Sequence, residues 1–343
     1  MIVDKYRPED RADVDALFRR VFGSALADAS AARWDWQYRQ NPNGLEPQIW
    51  IARDAGKVVG QYATMPVRLR VANQEIDASW GTDVMVAPEL QRKGLGEVLF
   101  RTWDAHIGAS LGMGLSIGSH KLFRKLQWPD VGPVPCLVKP VSARAFTRNT
   151  WPSIAHGVIA IVVWPLLAAL RSRRTNPDVR PVTNFDTRFT NLWERVAPKF
   201  SLAVRRDAAY LHWKYIALPH IHYKVVALDR EDRIDGYAVY RHVDGPRGRV
   251  TSLVDLLADP DDRHATAALL SAVEAEARTA GSNKIRAFMM NAAFRKTMQA
   301  QGYFRVRSTI ELVAKVNAIP VGADFYAQTG TWHVTFGDSD QDR

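Results

Sequence analysis

The pattern W-[QK]-Y-x-x-x-P occurs twice in this chain, at Trp36-Gln37-Tyr38 with Pro42 and at Trp213-Lys214-Tyr215 with Pro219, about half a chain apart. A repeat at that distance constrains the fold strongly, because each copy must build the same supersecondary unit. The segments that follow run in the same order. Ile49-Trp50-Ile51-Ala52 leads through a charged turn to Val58-Val59-Gly60-Gln61-Tyr62-Ala63, and Lys224-Val225-Val226-Ala227-Leu228 leads through Asp229-Arg230-Glu231-Asp232 to Ile234-Asp235-Gly236-Tyr237-Ala238-Val239. Both predict hairpins. Asp83 to Pro88 and Asp255 to Pro260 predict strands that stop at a proline. Apolar residues at helical spacing come next, Val98, Leu99, Trp103 and Ile107 in one half, Leu269, Leu270, Val273 and Ala277 in the other. A short strand (Leu115-Ser116-Ile117; Ile285-Arg286-Ala287-Phe288) and a short helix (Lys121 to Gln127; Ala292 to Ala300) complete each half. Five matching elements in order predict two tandem α/β (α+β) folds, each a mixed central sheet flanked by helices. The predicted division is 1–147, a connector 148–180, and 181–343.

The connector is unusual. No Asp, Glu, Lys or Arg occurs from Asn149 through Leu170, while Arg144, Arg148, Arg171, Arg173 and Arg174 flank the run. Pro152, His156, Gly157 and Pro165 weaken a membrane-spanning reading, which would also set paired folds on opposite sides of a bilayer. The first expectation is burial against protein; the alternative is peripheral membrane contact through 151–170, with the basic flanks at an anionic interface. A net charge of +10 favours anionic partners without choosing among them. No recognised motif points to a specific nucleic acid. The single cysteine, Cys136, lies in an apolar run and reads as a buried small hydrophobe. One cysteine excludes an internal disulfide and a Cys-based zinc site, and no metal is expected. The opening Met1-Ile2-Val3-Asp4-Lys5 has no secretory pattern, so a cytoplasmic location is expected.

The motif with most chemistry is Gln91-Arg92-Lys93-Gly94-Leu95-Gly96, placed between the strand that stops at Pro88 and the helix that contains Glu97-Val98-Leu99-Phe100. Glycines let a backbone approach a ligand closely. The start of a helix offers unpaired N–H groups and partial positive charge to a phosphate, and Arg92 and Lys93 add charge at the rim. Neither a Walker loop nor a Rossmann fingerprint fits the spacing.

On Asp83-Val84-Met85-Val86-Ala87-Pro88-Glu89-Leu90-Gln91-Arg92-Lys93-Gly94-Leu95-Gly96, with its V-x-x-x-x-Q-x-x-G-x-G pattern, the sequence resembles the GNAT acyltransferase superfamily over roughly residues 1 to 140. The resemblance implies that Met85 and Val86 contact the pantetheine arm of an acyl-coenzyme A, acetyl-CoA above all. It implies a pyrophosphate held by Gln91, Arg92, Lys93, Gly94, Leu95, Gly96 and the adjoining Glu97, and two strands that splay after Pro88. The implied reaction is direct acyl transfer to a primary amine on a small molecule or sugar, with Asp83, or else Glu75, as base and His120 and Ser119 near the acceptor. The superfamily's tyrosine acid is replaced here by Phe123, and Gln127-Trp128 stands for its Gly-Phe pair. That departure keeps a second reading open, a non-catalytic acyl-CoA-binding or scaffold protein.

In the second half, Asp261-Asp262-Arg263-His264-Ala265-Thr266-Ala267 has no glycine and two acids that repel a pyrophosphate. The expectation is a fold kept without its CoA site, one that helps to complete the acceptor pocket. The C-terminal Trp332 to Asp340 reads as an alternating strand and a solvated acidic tail; the alternative places Asp338 or Asp340 near the acceptor amine.

Overall fold

The computed structural model describes residues 2–44, 46–147, 153–170, 176–230 and 232–341. The strands are β1 (Ile2–Lys5), β2 (Ile49–Asp54), β3 (Lys57–Val71), β4 (Gln74–Val86), β5 (Ala109–Met113), β6 (Asp130–Pro133), β7 (Cys136–Pro140), β8 (Val179–Val182), β9 (Leu202–Val204), β10 (Lys224–Arg230), β11 (Arg233–Val243), β12 (Val250–Ala258), β13 (Lys284–Phe288), β14 (Phe304–Val306), β15 (Glu311–Val316) and β16 (Trp332–His333). The helices are α1 (Arg11–Phe22), α2 (Ser24–Tyr38), α3 (Leu95–Ala105), α4 (Ile117–Lys125), α5 (Ser153–Leu170), α6 (Thr187–Val196), α7 (Ala208–Tyr215), α8 (Arg263–Thr279), α9 (Ala292–Ala300) and α10 (Ala323–Ala327).

Two mixed sheets result, each flanked by helices. Their strand orders are β1-β2-β3-β4-β5-β15-β6 and β8-β10-β11-β12-β13-β7-β14, with β9 and β16 attached to the first beside β3. The orders match position for position, with one exchange. The sixth place in the first sheet is filled by β15, late in the chain, and the sixth place in the second by β7, from the first half. Both guests pair antiparallel with their hosts, β15 with β5 and β7 with β13. Each guest strand also carries a lysine bonded to an acid on the host half's equivalent helix. Lys139 Nζ meets Glu274 Oε2 at 2.6 Å with both side chains buried, and Lys315 meets Asp104. Neither sheet is complete without the other half.

The repeated W-x-Y motif meets itself at the junction. The Trp36 and Trp213 rings stack at 4.7 Å and 12°. Each indole Nε1–H donates to the other residue's carbonyl oxygen at 2.8 Å. One core runs through the junction, from Trp36, Met65 and Trp80 to Trp193, Tyr237 and Leu269.

Three expectations change. The strand placed at Leu115-Ser116-Ile117 lies earlier, at β5. Gly114, at φ +67°, ends it, and the Ser116 hydroxyl accepts from the Ser119 N–H at 3.1 Å to start α4. The C-terminal segment is no solvated tail: Trp332 to Ser339 is buried throughout, and Asp338 accepts from Arg206 Nη2 at 2.8 Å. The charge-poor connector is only partly covered by protein: Ile159, Val163 and Leu167 of α5 are half-buried, while Val158, Ile161, Val162 and Trp164 are exposed.

Within the C-terminal segment, His333 is fully buried and stacks on Phe200 at 4.8 Å. Burial, then the nearby Arg206 charge, holds its imidazole well below the ordinary histidine range. The folded protein therefore declines a proton that the unfolded chain takes up below about pH 6.5. Stability is fully present above that value and falls as pH drops through it, by up to ~1.4 kcal/mol per pH unit. Denaturant titrations between pH 7.5 and 5.5 should show this slope, and His333→Gln should flatten it.

Candidate active site

The loop after β4 begins with a short turn at Pro88–Leu90. Gln91 then folds its side chain back, and Nε2 donates to the Val86 carbonyl at 3.1 Å. Two residues take left-handed backbone conformations, Arg92 (φ +63°) and Gly94 (φ +89°). Gly94 precedes α3 without any side-chain cap, so the first-turn N–H groups of Leu95, Gly96 and Glu97 lack intrahelical acceptors. A side chain built at Gly94 or Gly96 would meet nothing within 4 Å. Internal packing therefore does not demand these glycines; the left-handed turn demands Gly94, and both leave the helix end open to an incoming group. Leu95 is buried and packs beside Gly60 of β3, which anchors the loop to the sheet. The Glu97 carboxylate does not compete for the amides. Lys125, at 2.5 Å, and Arg101, at 3.0 Å, hold it below the usual carboxylate range.

β4 and β5 run parallel but pair only from Ala78↔Ala109 to Trp80↔Leu111. The strands part at Gly81 and Gly112, well before Pro88 where the sequence placed the splay. At that point the Tyr62 hydroxyl lies against Gly81, where a Cβ would overlap it. One residue further, the β3–β4 register slips, so that Thr82 and Asp83 oppose Ala63 alone. Such a bulge re-aims side chains, and this one turns Asp83 inward.

Between the parted strands lies an open cavity of about 750 Å³, bordered by Thr82, Asp83, Phe100, Met113, Ser116 and Asp340 among others. Asp83 is 6% exposed. Its Oδ2 accepts from the Tyr38 hydroxyl at 2.7 Å, and its Oδ1 lies 3.7 Å from Arg33 Nη2. Burial, then the Asp83 charge, pushes the Tyr38 phenol well above its ordinary value, so Tyr38 stays a donor. Tyr38, Arg33 and Gln37 come from the last two turns of α2, where Trp36 is locked against Trp213. Asp340, from the far end of the chain, also borders a smaller recess of about 350 Å³ with Arg33, Trp36, Lys214, His220 and Tyr223.

The predicted site residues are distributed as follows. Met85 is buried in β4, and Val86 accepts from Gln91. Asp83 lies in the cavity with Ser119. Glu75 lies at the opposite end of β4, bonded to Arg205 at 2.9 Å. His120 is on α4 but turns toward Asp130, 3.8 Å away. Phe123 borders the cavity and packs against Trp128 at 4.4 Å. Sequence reasoning missed Tyr38 and Arg33 as partners of Asp83, although Tyr38 belongs to the repeated motif. It favoured a solvated tail for Asp340, with a place near the acceptor amine as the alternative.

The family model described as acetyltransferase (GNAT) domain matches residues 3–118. The fold is that of the GNAT superfamily. Among solved structures, a GCN5-related N-acetyltransferase from Anabaena variabilis superposes with a TM-score of 0.63 at 13% identity, over 92% of this chain and 72% of that one. A probable N-acyltransferase from Enterococcus faecalis gives 0.63 at 12%, over 96% and 73%. The N-myristoyltransferase of Saccharomyces cerevisiae with bound myristoyl-CoA gives 0.54 at 13%, over 91% and 81%. No curated protein sequence matches the chain.

The second GNAT-like sheet offers a contrast at each equivalent place. Asp255, the counterpart of Asp83, is 1% exposed and closed in by Arg206, by the Tyr237 hydroxyl at 2.9 Å and by Thr335 at 3.0 Å. Burial opposes its charge, but the Arg206 guanidinium outweighs it and holds the carboxyl below its ordinary value. The start of α8 is capped by its own carboxylate, Asp262 accepting from the Ala265 N–H at 2.9 Å.

The Tyr62–Gly81 contact is testable. Gly81→Ala should destabilise the protein by ~1–3 kcal/mol through overpacking, and Tyr62→Phe should recover part of that loss in a double-mutant cycle by denaturant unfolding.

Proposed function

We infer that this chain is an acyl-CoA-dependent N-acyltransferase, acetyl-CoA being the donor to test first, with a primary amine as acceptor. The observation that carries the reading is the uncapped, glycine-opened start of α3 at the mouth of the β4–β5 splay, with a buried carboxylate inside it. Diphosphate oxygens suit the free N–H groups of the first turn, with Arg92 and Lys93 beside them. The pantetheine arm suits the strand edges exposed where β4 and β5 part, next to Met85 and Val86.

In the transfer, the acceptor nitrogen attacks the thioester carbonyl, a C–N bond forms, the C–S bond breaks, and the amine's proton leaves to a base. Asp83 is the base in this reading, acting directly or through water. Tyr38 and Arg33 orient it. Glu75 is bonded to Arg205 at the far end of β4 and His120 turns toward Asp130, so neither is given a role in this reading. Phe123 has no proton to give the departing thiolate; the hydroxyls of Ser116 and Ser119 border the same cavity. The acceptor amine would lie near Asp340, with the rest of the molecule in the adjoining recess. Arg33 keeps an Nε–H there without a hydrogen-bond partner, which suits a polar acceptor. The self-capped α8 and the sealed Asp255 support one cofactor site per chain, in the first half.

Calorimetry with acetyl-CoA and a thiol-release assay over a panel of amines test this reading. Wild type should bind once per chain, and Gly94→Glu should abolish binding. Asp83→Asn should bind normally but lose ~10²-fold or more in kcat. Binding that survives Gly94→Glu contradicts the loop assignment, and an unchanged kcat in Asp83→Asn removes it as base.

A further inference from the structure

We propose that α5 docks the protein in plane on a membrane surface with anionic headgroups. The inference does not depend on the acyltransferase reading. α5 contains no charged residue, and Val158, Ile161, Val162 and Trp164 are 55%, 77%, 70% and 68% exposed. Positions 158, 161 and 162 are spaced three and four apart, as are 161 and 164, so they form one continuous apolar surface. The element α5 packs against, the turn Ala143–Phe146, adds another exposed ring, Phe146.

The flanking charge identifies what covers this surface. From Val131 to Pro177 the chain has no Asp or Glu, yet it has Arg144 and Arg148 before the helix and Arg171, Arg173 and Arg174 after it. A water-facing or generic protein-facing segment ordinarily mixes both signs. A wholly cationic frame around an apolar helix complements a lipid surface, where apolar side chains enter the acyl boundary and arginines meet phosphates. Trp164 suits the same boundary.

Topology selects the in-plane orientation. α5 connects β7 to β8, which belong to one sheet. A spanning helix would deliver its ends to opposite faces of the bilayer. The return segment 171–178 would then have to carry three arginines back through a hydrocarbon layer ~30 Å thick. No helix among the described residues is long and apolar enough to cross a membrane. β7 and β8 stand five places apart in their sheet, roughly 24 Å, and α5 is roughly 27 Å long. An in-plane helix of that length can bridge this span without crossing the layer.

Detergent-free flotation of the full chain tests this with vesicles of phosphatidylcholine alone and of phosphatidylcholine mixed with phosphatidylglycerol. The expected result is binding about tenfold or more stronger to the anionic vesicles, weakened by salt and released by alkaline carbonate. Ile161→Glu and Trp164→Glu, both at exposed positions, should abolish it while the thermal unfolding curve stays that of the wild type. Absence of binding to anionic vesicles overturns the proposal, as does binding that survives both substitutions. Carbonate-resistant association would indicate a span and overturn the in-plane assignment. A dimer in light scattering that the same substitutions convert to monomer would make a second copy the occupant and likewise overturn it.

Discussion

The reciprocal pairing of Trp36 with Trp213 is the contact on which the rest of the molecule is arranged. Two stacked indoles contribute about 0.5–1.5 kcal/mol beyond the area they bury, and each also satisfies a buried carbonyl of the other. Its larger consequence is orientation. α2 and α7 are fixed against each other at the ends of equivalent helices, so Arg33, Gln37 and Tyr38 are presented toward the parted strands of the first sheet. The exchanged strands β7 and β15 reinforce the arrangement, each held through its own lysine by an acid on the host half's helix. Because each sheet needs a strand from the other half, the two halves cannot come apart without breaking both sheets.

Within this frame one backbone plan serves two ends. In the first half, a bulge, a tyrosine and an arginine leave a buried aspartate facing an open cavity. In the second, the corresponding aspartate is tied to Arg206 and covered by the C-terminal segment. The same segment then runs on to place Asp340 at the first half's cavity. Closure of one site and completion of the other are thus done by one stretch of chain, which ties the second half to the chemistry proposed for the first.

Much of this was legible in the residues. The hairpins, the helix after each proline and the glycine loop all follow from local patterns, because alternation, helical spacing and backbone demands are written in neighbouring residues; Asp83 was singled out by the family resemblance instead. The strand exchange was not legible. β7 and β15 have similar apolar character, and nothing in a strand's own sequence names its partner. The splay was misplaced because pairing ends at Trp80 and Leu111, a relation between two strands that the proline at one strand's end does not report. Asp338 read as solvated because its partner, Arg206, lies far off in sequence. The connector read as buried because apolar composition says that a surface needs covering but not whether protein supplies the cover.

A crystal structure of the full chain with coenzyme A tests the central claim most directly. The account predicts one molecule per chain. Its diphosphate should accept from the N–H groups at the start of α3, its pantetheine should lie between β4 and β5, and its thiol should enter the cavity of Asp83 and Asp340. A coenzyme bound at α8, or outside the β4–β5 opening, would contradict it.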